Sequence, residues 1–177
     1  MAKRFLIMAT SGFEADELFV PRALLLARGC TVALASPTTS PIQATVLDDP
    51  GPTIRPDLKI AETRAAEWDA LLLPGGLINP DALRVRPEAI ELVKAFADAG
   101  KPVGAICHAP WLLIEAGLVA GRRVTGWHSI RTDLLNAGGI LADEAVVVDR
   151  GIVTAVGPGD SSAFAIALMD ACEPNGS

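Results

Sequence analysis

Short apolar runs alternate with amphipathic stretches along the whole of this sequence. The runs are apolar through most of their length, which is typical of strands buried on both faces of a parallel sheet. We predict strands at residues 4–10, 31–36, 69–74, 101–106, 123–127, 144–149 and 152–156. The last two flank Arg150 and Gly151 and are predicted to form an antiparallel hairpin.

The stretches between the runs have helical spacing. It is clearest between residues 86 and 99, where Ile90, Val93, Phe96 and Ala97 recur on one face. The predicted helices cover residues 13–28, the part of 57–68 that follows a short strand, a turn opening at 79–81, then 86–99, 108–116, 129–136 and 161–171. The segment 37–56, rich in Pro, Thr and Asp, is predicted to be loop with short hairpin strands.

The alternation of strands and helices predicts an α/β fold with a mostly parallel sheet that carries helices on both faces. The hairpin near the end of the chain adds some antiparallel pairing. Neither a repeat nor a linker divides the sequence, so residues 1–177 are predicted to form a single domain.

Composition excludes several classes of protein. Half of the 177 residues are apolar and a fifth are charged, as in globular rather than disordered chains. The net charge of −6, without a basic run, argues against nucleic acid as the main partner. No apolar run has the length of a membrane span, and no secretory signal precedes the first strand. We therefore expect a cytoplasmic protein that does not associate with membranes.

The cysteine and histidine content argues against disulfides and metals. Cys30, Cys107 and Cys172 are odd in number and far apart in sequence, which favours free thiols in a reducing cytosol. Only two histidines are present and no two cysteines are close, so no metal-ligand spacing appears. A metal site is not expected.

Cys107 falls where the strand at 101–106 ends and the next helix begins, with Pro110 where a first helical turn tolerates proline. This end of a strand displays the functional groups of doubly wound sheets, and the N–H groups of a helix start favour a thiolate. Because His108 follows directly, the stretch has the arrangement of a nucleophile elbow, with cysteine in place of serine. The alternative is a buried cysteine that packs as a small hydrophobic residue.

Residues 105–110, A-I-C-H-A-P, closely resemble the A-I-C-H-G-P signature of the ThiJ/PfpI family. That family includes the PfpI intracellular proteases and the related glyoxalases and protein deglycases. Further matches lie, in order, at 13–17 (F-E-x-x-E), 69–76 (D-A-L-x-L-P-G-G), 117–130 (G-x-x-x-G-R-x-V-T-x-x-x-S-I) and 143–149 (D-E-x-V-V-V-D). The resemblance implies a flavodoxin-like fold, similar to class I glutamine amidotransferases. An amidotransferase itself is disfavoured because the downstream His-x-Glu is absent.

The resemblance also implies roles for Cys107 and for two acidic residues of the first helix. Cys107 would be the nucleophile, with the carboxyl of Glu17 beside its sulfur. A thiolate would be repelled by a second anion, so Glu17 is expected to be protonated, to donate a hydrogen bond and to act as general acid or base. Glu14 is expected to border the substrate pocket. The alternative is that both acids simply complement the positive end of the helix dipole.

His108 would carry protons in this site. In the PfpI branch an acid just past the Gly-Gly orients this histidine from a neighbouring subunit, and Asp81 occupies that position here. The predicted triad is therefore Cys107 and His108 with Asp81 of a second chain, in a homodimer or larger homo-oligomer. Two alternatives stay open: Asp81 caps a helix after Pro80, and the adjacent side chains of Cys107 and His108 point apart at the turn.

Backbone groups complete the predicted site. Gly75 and Gly76 are assigned to substrate and oxyanion binding, because a Gly-Gly after a parallel strand presents N–H groups. The N–H groups of Gly76 and Ala109, or of His108, are expected to form the oxyanion hole.

The sequence departs from the family pattern at three places. Ala109 replaces the usual glycine, which would narrow access at the elbow. His128 replaces the usual proline; it is either a second titratable group near the site or, as we expect, an exposed residue. Residues 156–164 lack the arginine that many relatives carry in R-x-P-D-D-L-P-A-F, so substrate preference does not carry over there.

Three functions compete at this stage. The favoured one is a cofactor-independent, cysteine-dependent stress-response enzyme that acts on small reactive carbonyls such as methylglyoxal, as glyoxalases and deglycases do. The second is an intracellular cysteine peptidase of the PfpI type, which acts on peptides and needs the intersubunit triad. The third is a non-enzymatic redox sensor or holdase with an accessible, low-pKa Cys107 that oxidises readily.

Overall fold

The computed structural model describes residues 1–173; of the polar tail expected at 173–177, residues 174–177 lie outside the described residues. The strands are β1 (Arg4–Met8), β2 (Phe13–Glu14), β3 (Thr31–Ser36), β4 (Ile42–Val46), β5 (Asp49–Ile54), β6 (Leu58–Lys59), β7 (Ala70–Leu73), β8 (Val103–Ile106), β9 (Arg123–Val124), β10 (Ile140–Leu141), β11 (Val146–Asp149) and β12 (Ile152–Ala155). The helices are α1 (Ala15–Ala27), α2 (Ile78–Arg84), α3 (Pro87–Asp98), α4 (Pro110–Glu115), α5 (Arg131–Asn136) and α6 (Ser161–Ala171).

The main sheet has seven strands in the order β11-β12-β8-β7-β1-β3-β6. Its neighbours pair in parallel except β11 and β12, which form the antiparallel hairpin at one edge. This confirms the predicted flavodoxin-like α/β fold with a mostly parallel sheet. None of the helices within residues 1–173 has the length and apolar character needed to cross a bilayer.

Alternate residues of the central strands supply two separate hydrophobic layers. In β1, Leu6 and Met8 face one layer, while Phe5 and Ile7 face the other. The first layer is covered by α2, α3, α4 and α5, and the second by α1 and α6. All four β1 side chains are fully buried, and burial of such a side chain contributes about 1.5–3 kcal/mol. The central strands are therefore a rigid base for the loops at their carboxyl ends.

The structure corrects several predicted elements. Phe13–Glu14 is not the start of the first helix but a short strand that pairs with β4 of the predicted 37–56 hairpin. No α-helix forms between Asp57 and Trp68; two short 3₁₀ turns replace it. Lys101 Nζ donates hydrogen bonds to the carbonyls of Ala65 and Trp68 and so anchors this segment. The strand predicted at 123–127 is only β9, which pairs with the unforeseen β10.

Candidate active site

Cys107 occupies the tight turn between β8 and α4. Its φ is +64°, in the left-handed region that costs a non-glycine residue on the order of 1–2 kcal/mol. The turn is held from both sides: the Cys107 N–H donates to the Ala155 carbonyl at 3.0 Å, and its own carbonyl accepts the Trp127 N–H at 2.9 Å. The strained backbone thus fixes the sulfur at the carboxyl end of the sheet, as the elbow motif predicts.

Glu17 lies in the first turn of α1 and is fully buried against this turn. Its Oε2 accepts the N–H of Gly75 at 2.7 Å. Burial raises the pKa of Glu17 to about 8; the neighbouring Glu14 adds to the rise, while the Gly75 N–H and the Cys107 thiol oppose it. Glu17 is therefore mostly protonated at neutral pH, and its Oε1 is otherwise unpartnered among residues 1–173.

Gly75 separates Glu17 from Cys107 with no room for a side chain. A Cβ at this position would lie 2.5 Å from Glu17 Oε2 and 2.7 Å from Cys107 Cβ. Because its N–H is already donated to Glu17, Gly75 supports the carboxyl and has no donor left for an oxyanion. Gly76 follows with φ of +76°, and its N–H points at the Cys107 sulfur.

Burial raises the pKa of the Cys107 thiol, and the Glu17 carboxyl beside it adds to the rise. The N–H groups of Gly76 and His108 point at the sulfur and oppose this shift. The expected gain from a helix start is small, because α4 has six residues and begins only at Pro110. Protonation of Glu17 removes the like-charge repulsion and supplies a hydrogen bond to a thiolate.

One expectation about this turn is not favoured and one prediction is wrong. Cys107 is 5% exposed and burial raises its pKa, which disfavours the accessible, low-pKa thiol that the redox-sensor hypothesis requires. The Ala109 N–H donates to the Ile106 carbonyl at 3.0 Å, so it is not free for an oxyanion. The donors that remain are the N–H groups of Gly76 and His108, the second of which the sequence left as an alternative to Ala109.

His108 turns towards Cys107 rather than away from it. Its Nδ1 lies 3.3 Å from Cys107 Sγ, and its Nε2 lies 3.1 Å from Ser129 Oγ. The ring packs between Trp111 and Trp127, with centroid distances of 5.3 and 6.2 Å. Burial lowers the pKa of His108, so the ring is neutral at pH 7 and able to accept a proton.

Asp81 is exposed on the first turn of α2. The residue at the N-cap of that helix is Leu77, so the alternative interpretation of Asp81 as a cap is wrong. Within residues 1–173 of one chain, His108 forms no ion pair with a carboxylate. Orientation of His108 by Asp81 of a second subunit therefore stays a prediction.

Glu14 is buried beside the site, and its carboxylate accepts a hydrogen bond from the β4–β5 hairpin. Its Oε2 accepts the Leu47 N–H at 3.2 Å. Burial raises the pKa of Glu14, and the nearby Asp16 and Asp48 contribute while the Leu47 N–H opposes. Glu14 thus anchors the hairpin next to Glu17.

Asn79 is a buried residue of this region that the sequence did not single out. Its Nδ2 donates to the carbonyls of Pro74 and Gly75 at 2.9 and 3.0 Å, and its Oδ1 accepts the Thr10 N–H at 2.8 Å. It therefore ties the glycine loop to the end of β1. The only sequence signal was a polar residue next to the glycine loop.

His128, Cys30 and Cys172 form no hydrogen bond with the Cys107 sulfur in the described part of the chain. His128 is exposed, as predicted, and packs on Trp127 at 4.9 Å. Cys30 and Cys172 are free thiols, as is Cys107. Ser129, the first residue of the helix predicted at 129–136, lies instead in a 3₁₀ turn (His128–Ile130) and contacts His108. Among residues 1–173, no group of three or more His, Cys, Asp or Glu side chains is arranged to hold a metal ion.

Comparison with known proteins confirms the resemblance. The family model described as DJ-1/PfpI matches residues 3–171. A Pyrococcus furiosus protein named deglycase PfpI is 36% identical over 91% of this chain and 94% of its own length. A Bacillus subtilis protein, YraA, named as a candidate cysteine protease, is 38% identical over 93% of this chain and 95% of its own. A crystal structure from Anabaena variabilis, with DJ-1/ThiJ/PfpI-like and ferritin-like domains, superimposes with a TM-score of 0.89 at 31% identity; the match covers 95% of this chain and 47% of that one.

Proposed function

Because the chain belongs to the DJ-1/PfpI family, we propose that it is a cofactor-independent stress-response enzyme that uses Cys107 to transform small reactive carbonyls, as glyoxalases and deglycases do. One observation carries the proposal: the Cys107 thiol lies between a carboxyl that is protonated at neutral pH, Glu17, and a neutral imidazole, His108. A nucleophile with a proton donor on one side and a proton acceptor on the other suits addition to a carbonyl.

The first step is addition of the thiol to an aldehyde. Cys107 Sγ forms a bond to the carbonyl carbon while its proton passes to His108 Nδ1, 3.3 Å away. The π electrons of the carbonyl move to its oxygen, towards the N–H groups of Gly76 and His108. The oxygen then takes the proton of Glu17, which leaves a hemithioacetal and a Glu17 carboxylate.

The second stage applies to a 2-oxoaldehyde such as methylglyoxal. The Glu17 carboxylate removes the proton from the carbon bonded to sulfur and returns a proton to the adjacent carbon. As the hydroxyl proton passes to the neighbouring carbonyl oxygen, the hemithioacetal becomes a thioester of a 2-hydroxy acid. Water then cleaves the C–S bond and releases lactate. The proton held by His108 returns to the Cys107 thiolate, one proton of the water restores the Glu17 acid, and the other leaves to solvent. The sum is addition of one water to methylglyoxal, so no external oxidant or reductant is consumed.

Turnover of methylglyoxal to lactate by the purified protein tests the proposal. We expect Cys107→Ala to lose at least a hundredfold in kcat/KM, because the covalent route is removed. Cys172→Ala is the matched control and should retain activity, since Cys172 is a thiol that lines no part of the elbow. Equal turnover by wild type and Cys107→Ala would reject the proposal.

A cysteine peptidase is the second candidate, and it is favoured by the name of YraA together with the exposed position of Asp81. It requires a homo-oligomer in which Asp81 of one subunit reaches His108 of another. Cleavage of fluorogenic peptides that falls in both Cys107→Ala and Asp81→Asn would support it. A monomer in solution, or cleavage unaffected by Asp81→Asn, would reject it. The 5% exposure of Cys107 and its tryptophan walls suit a small carbonyl better than an extended chain.

A further inference from the structure

Ser129 gives His108 a hydrogen-bond partner within its own chain. We propose that Ser129 is a positioning residue that holds His108 in the tautomer with its proton on Nε2, so that Nδ1 is free to take the Cys107 proton. The distances are 3.1 Å from Ser129 Oγ to Nε2 and 3.3 Å from Nδ1 to Cys107 Sγ. This inference deepens the proposed function, on which it rests for its role in turnover, but its test needs no carbonyl substrate.

The surroundings of the sulfur decide which tautomer fits. A neutral imidazole has one N–H donor and one acceptor nitrogen. The Cys107 sulfur already faces the N–H groups of Gly76 and His108, and thioether or thiol sulfur is a weak acceptor. The thiol hydrogen therefore needs an acceptor of its own. With two N–H donors already facing the sulfur, a third donor from the ring is disfavoured. Nδ1 of His108, 3.3 Å from Cys107 Sγ, is therefore the acceptor, and the ring proton lies on Nε2.

Backbone hydrogen bonds anchor the segment that carries Ser129 to the turn at Cys107. The Trp127 N–H donates to the Cys107 carbonyl at 2.9 Å, and the Ile130 N–H donates to the Trp127 carbonyl at 3.1 Å. Ile130 is fully buried on the other side of Ser129. The backbone therefore fixes the position of the Ser129 segment relative to Cys107. Side-chain contacts run from Cys107 through His108 to Ser129, and the backbone hydrogen bond of Trp127 connects this segment back to Cys107.

No stronger partner competes for Nε2 within the described part of the chain. The nearby charged and titratable groups reach His108 only through other side chains. They are Glu17 beside Cys107, Arg84 over the Trp111 ring, Asp133 bound to Trp111 Nε1 and His128 packed on Trp127. A hydroxyl rather than a carboxylate therefore faces Nε2. Its oxygen accepts the Nε2 proton without raising the basicity of the ring as an anion would.

Alkylation by iodoacetamide isolates the proton transfer. Cys107 Sγ forms a bond to the methylene carbon, the C–I bond breaks and iodide leaves, while the thiol proton passes to Nδ1. His108 then carries both ring protons, and Ser129 Oγ accepts the one on Nε2. The rate is followed between pH 6 and pH 9 by mass spectrometry of the Cys107 peptide, which separates it from Cys30 and Cys172.

We expect Ser129→Ala to slow alkylation at pH 7 by about three- to tenfold, the effect of losing one hydrogen bond. Ser129→Thr, which keeps the hydroxyl, should stay within about twofold of wild type. The matched control is Ser162→Ala, an exposed serine on α6 whose hydroxyl makes no hydrogen bond to His108. The ¹⁵N shifts of His108 should show the proton on Nε2 in wild type and a mixture of tautomers in Ser129→Ala.

A second background separates positioning from a general loss of structure. In His108→Ala, the further change Ser129→Ala should leave the alkylation rate unchanged, because the proton acceptor is already gone. The proposal is overturned if Ser129→Ala alkylates as fast as wild type, if Ser129→Thr is as slow as Ser129→Ala, or if Ser129→Ala still slows the His108→Ala protein. A wild type that turns over no methylglyoxal but shows the Ser129 effect would reject the proposed function alone.

Discussion

The N–H of Gly75 donates to Glu17 Oε2 at 2.7 Å, so the glycine loop after β7 carries the carboxyl that lies beside the nucleophile. The same contact leaves no space at position 75, where a Cβ would lie 2.5 Å from this oxygen and 2.6 Å from the Ile106 carbonyl. The Ile106 backbone cannot move aside to make room for a Cβ as a flexible side chain could. The loop, the first helix and the elbow are therefore one packed unit.

We predict that Gly75→Ala destabilises the protein by about 1–3 kcal/mol, the usual cost of overpacking, and lowers Cys107-dependent activity with it. Urea denaturation measures the change in the free energy of unfolding. Gly159→Ala is the matched control, because a Cβ at Gly159 meets nothing within 4 Å, and it should stay within about 0.5 kcal/mol of wild type. Equal stability of the two variants would contradict the packing.

The pH dependence of stability should report the buried Glu17. Its folded pKa of about 8 lies above the usual value of 4.5, so the folded state holds a proton that the unfolded state releases. This contribution is complete below pH 4.5 and is lost as the pH rises to about 8, with a slope of about 1.4 kcal/mol per pH unit for one proton. Glu17→Gln, which stays neutral, should remove this slope. Denaturant unfolding at several pH values between 4.5 and 8 compares the two proteins, and parallel curves would contradict a protonated Glu17.

Burial of His108 predicts an acid limb in the reactivity of Cys107. Because burial lowers the pKa of His108 below 6.5, the ring stays able to accept a proton to a lower pH than an exposed histidine would. We expect the His108-assisted alkylation of the Cys107 thiol to fall only below pH 6.5, where the ring takes up a second proton. His108→Gln should lack this limb. If the alkylation rate falls at the same pH in wild type and in His108→Gln, a group other than His108 causes the fall.

Asn79→Ala should weaken the support of the glycine loop. The change leaves the carbonyls of Pro74 and Gly75 and the Thr10 N–H without their side-chain partner, and each buried unsatisfied group costs about 1–3 kcal/mol. We expect a loss of at least about 2 kcal/mol in the free energy of unfolding. Asn136→Ala, at an exposed site on α5, is the control and should be near neutral. A neutral Asn79→Ala would show that water replaces the amide.

Local patterns were enough to predict most of the fold. The apolar runs that became β1, β3, β7 and β8 carry their own signal, because strands buried on both faces must be apolar throughout. Segments that bind distant residues were predicted less well. Lys101 donates to the carbonyl of Ala65, where a helix was predicted, and Phe13 and Glu14 pair with β4 instead of starting the first helix.

For the site, the sequence by itself determined the nucleophile position and its likeness to a family, because the elbow and the glycine loop are contiguous motifs. Only the tertiary structure decided the partners of Cys107. Glu17 is buried by packing of α1 against the loop, and burial, which no local pattern encodes, is what raises its pKa. His108 turns to Cys107 and binds Ser129 because the chain folds back 21 residues later. This brings to Nε2 a hydroxyl that was predicted at the first residue of a helix.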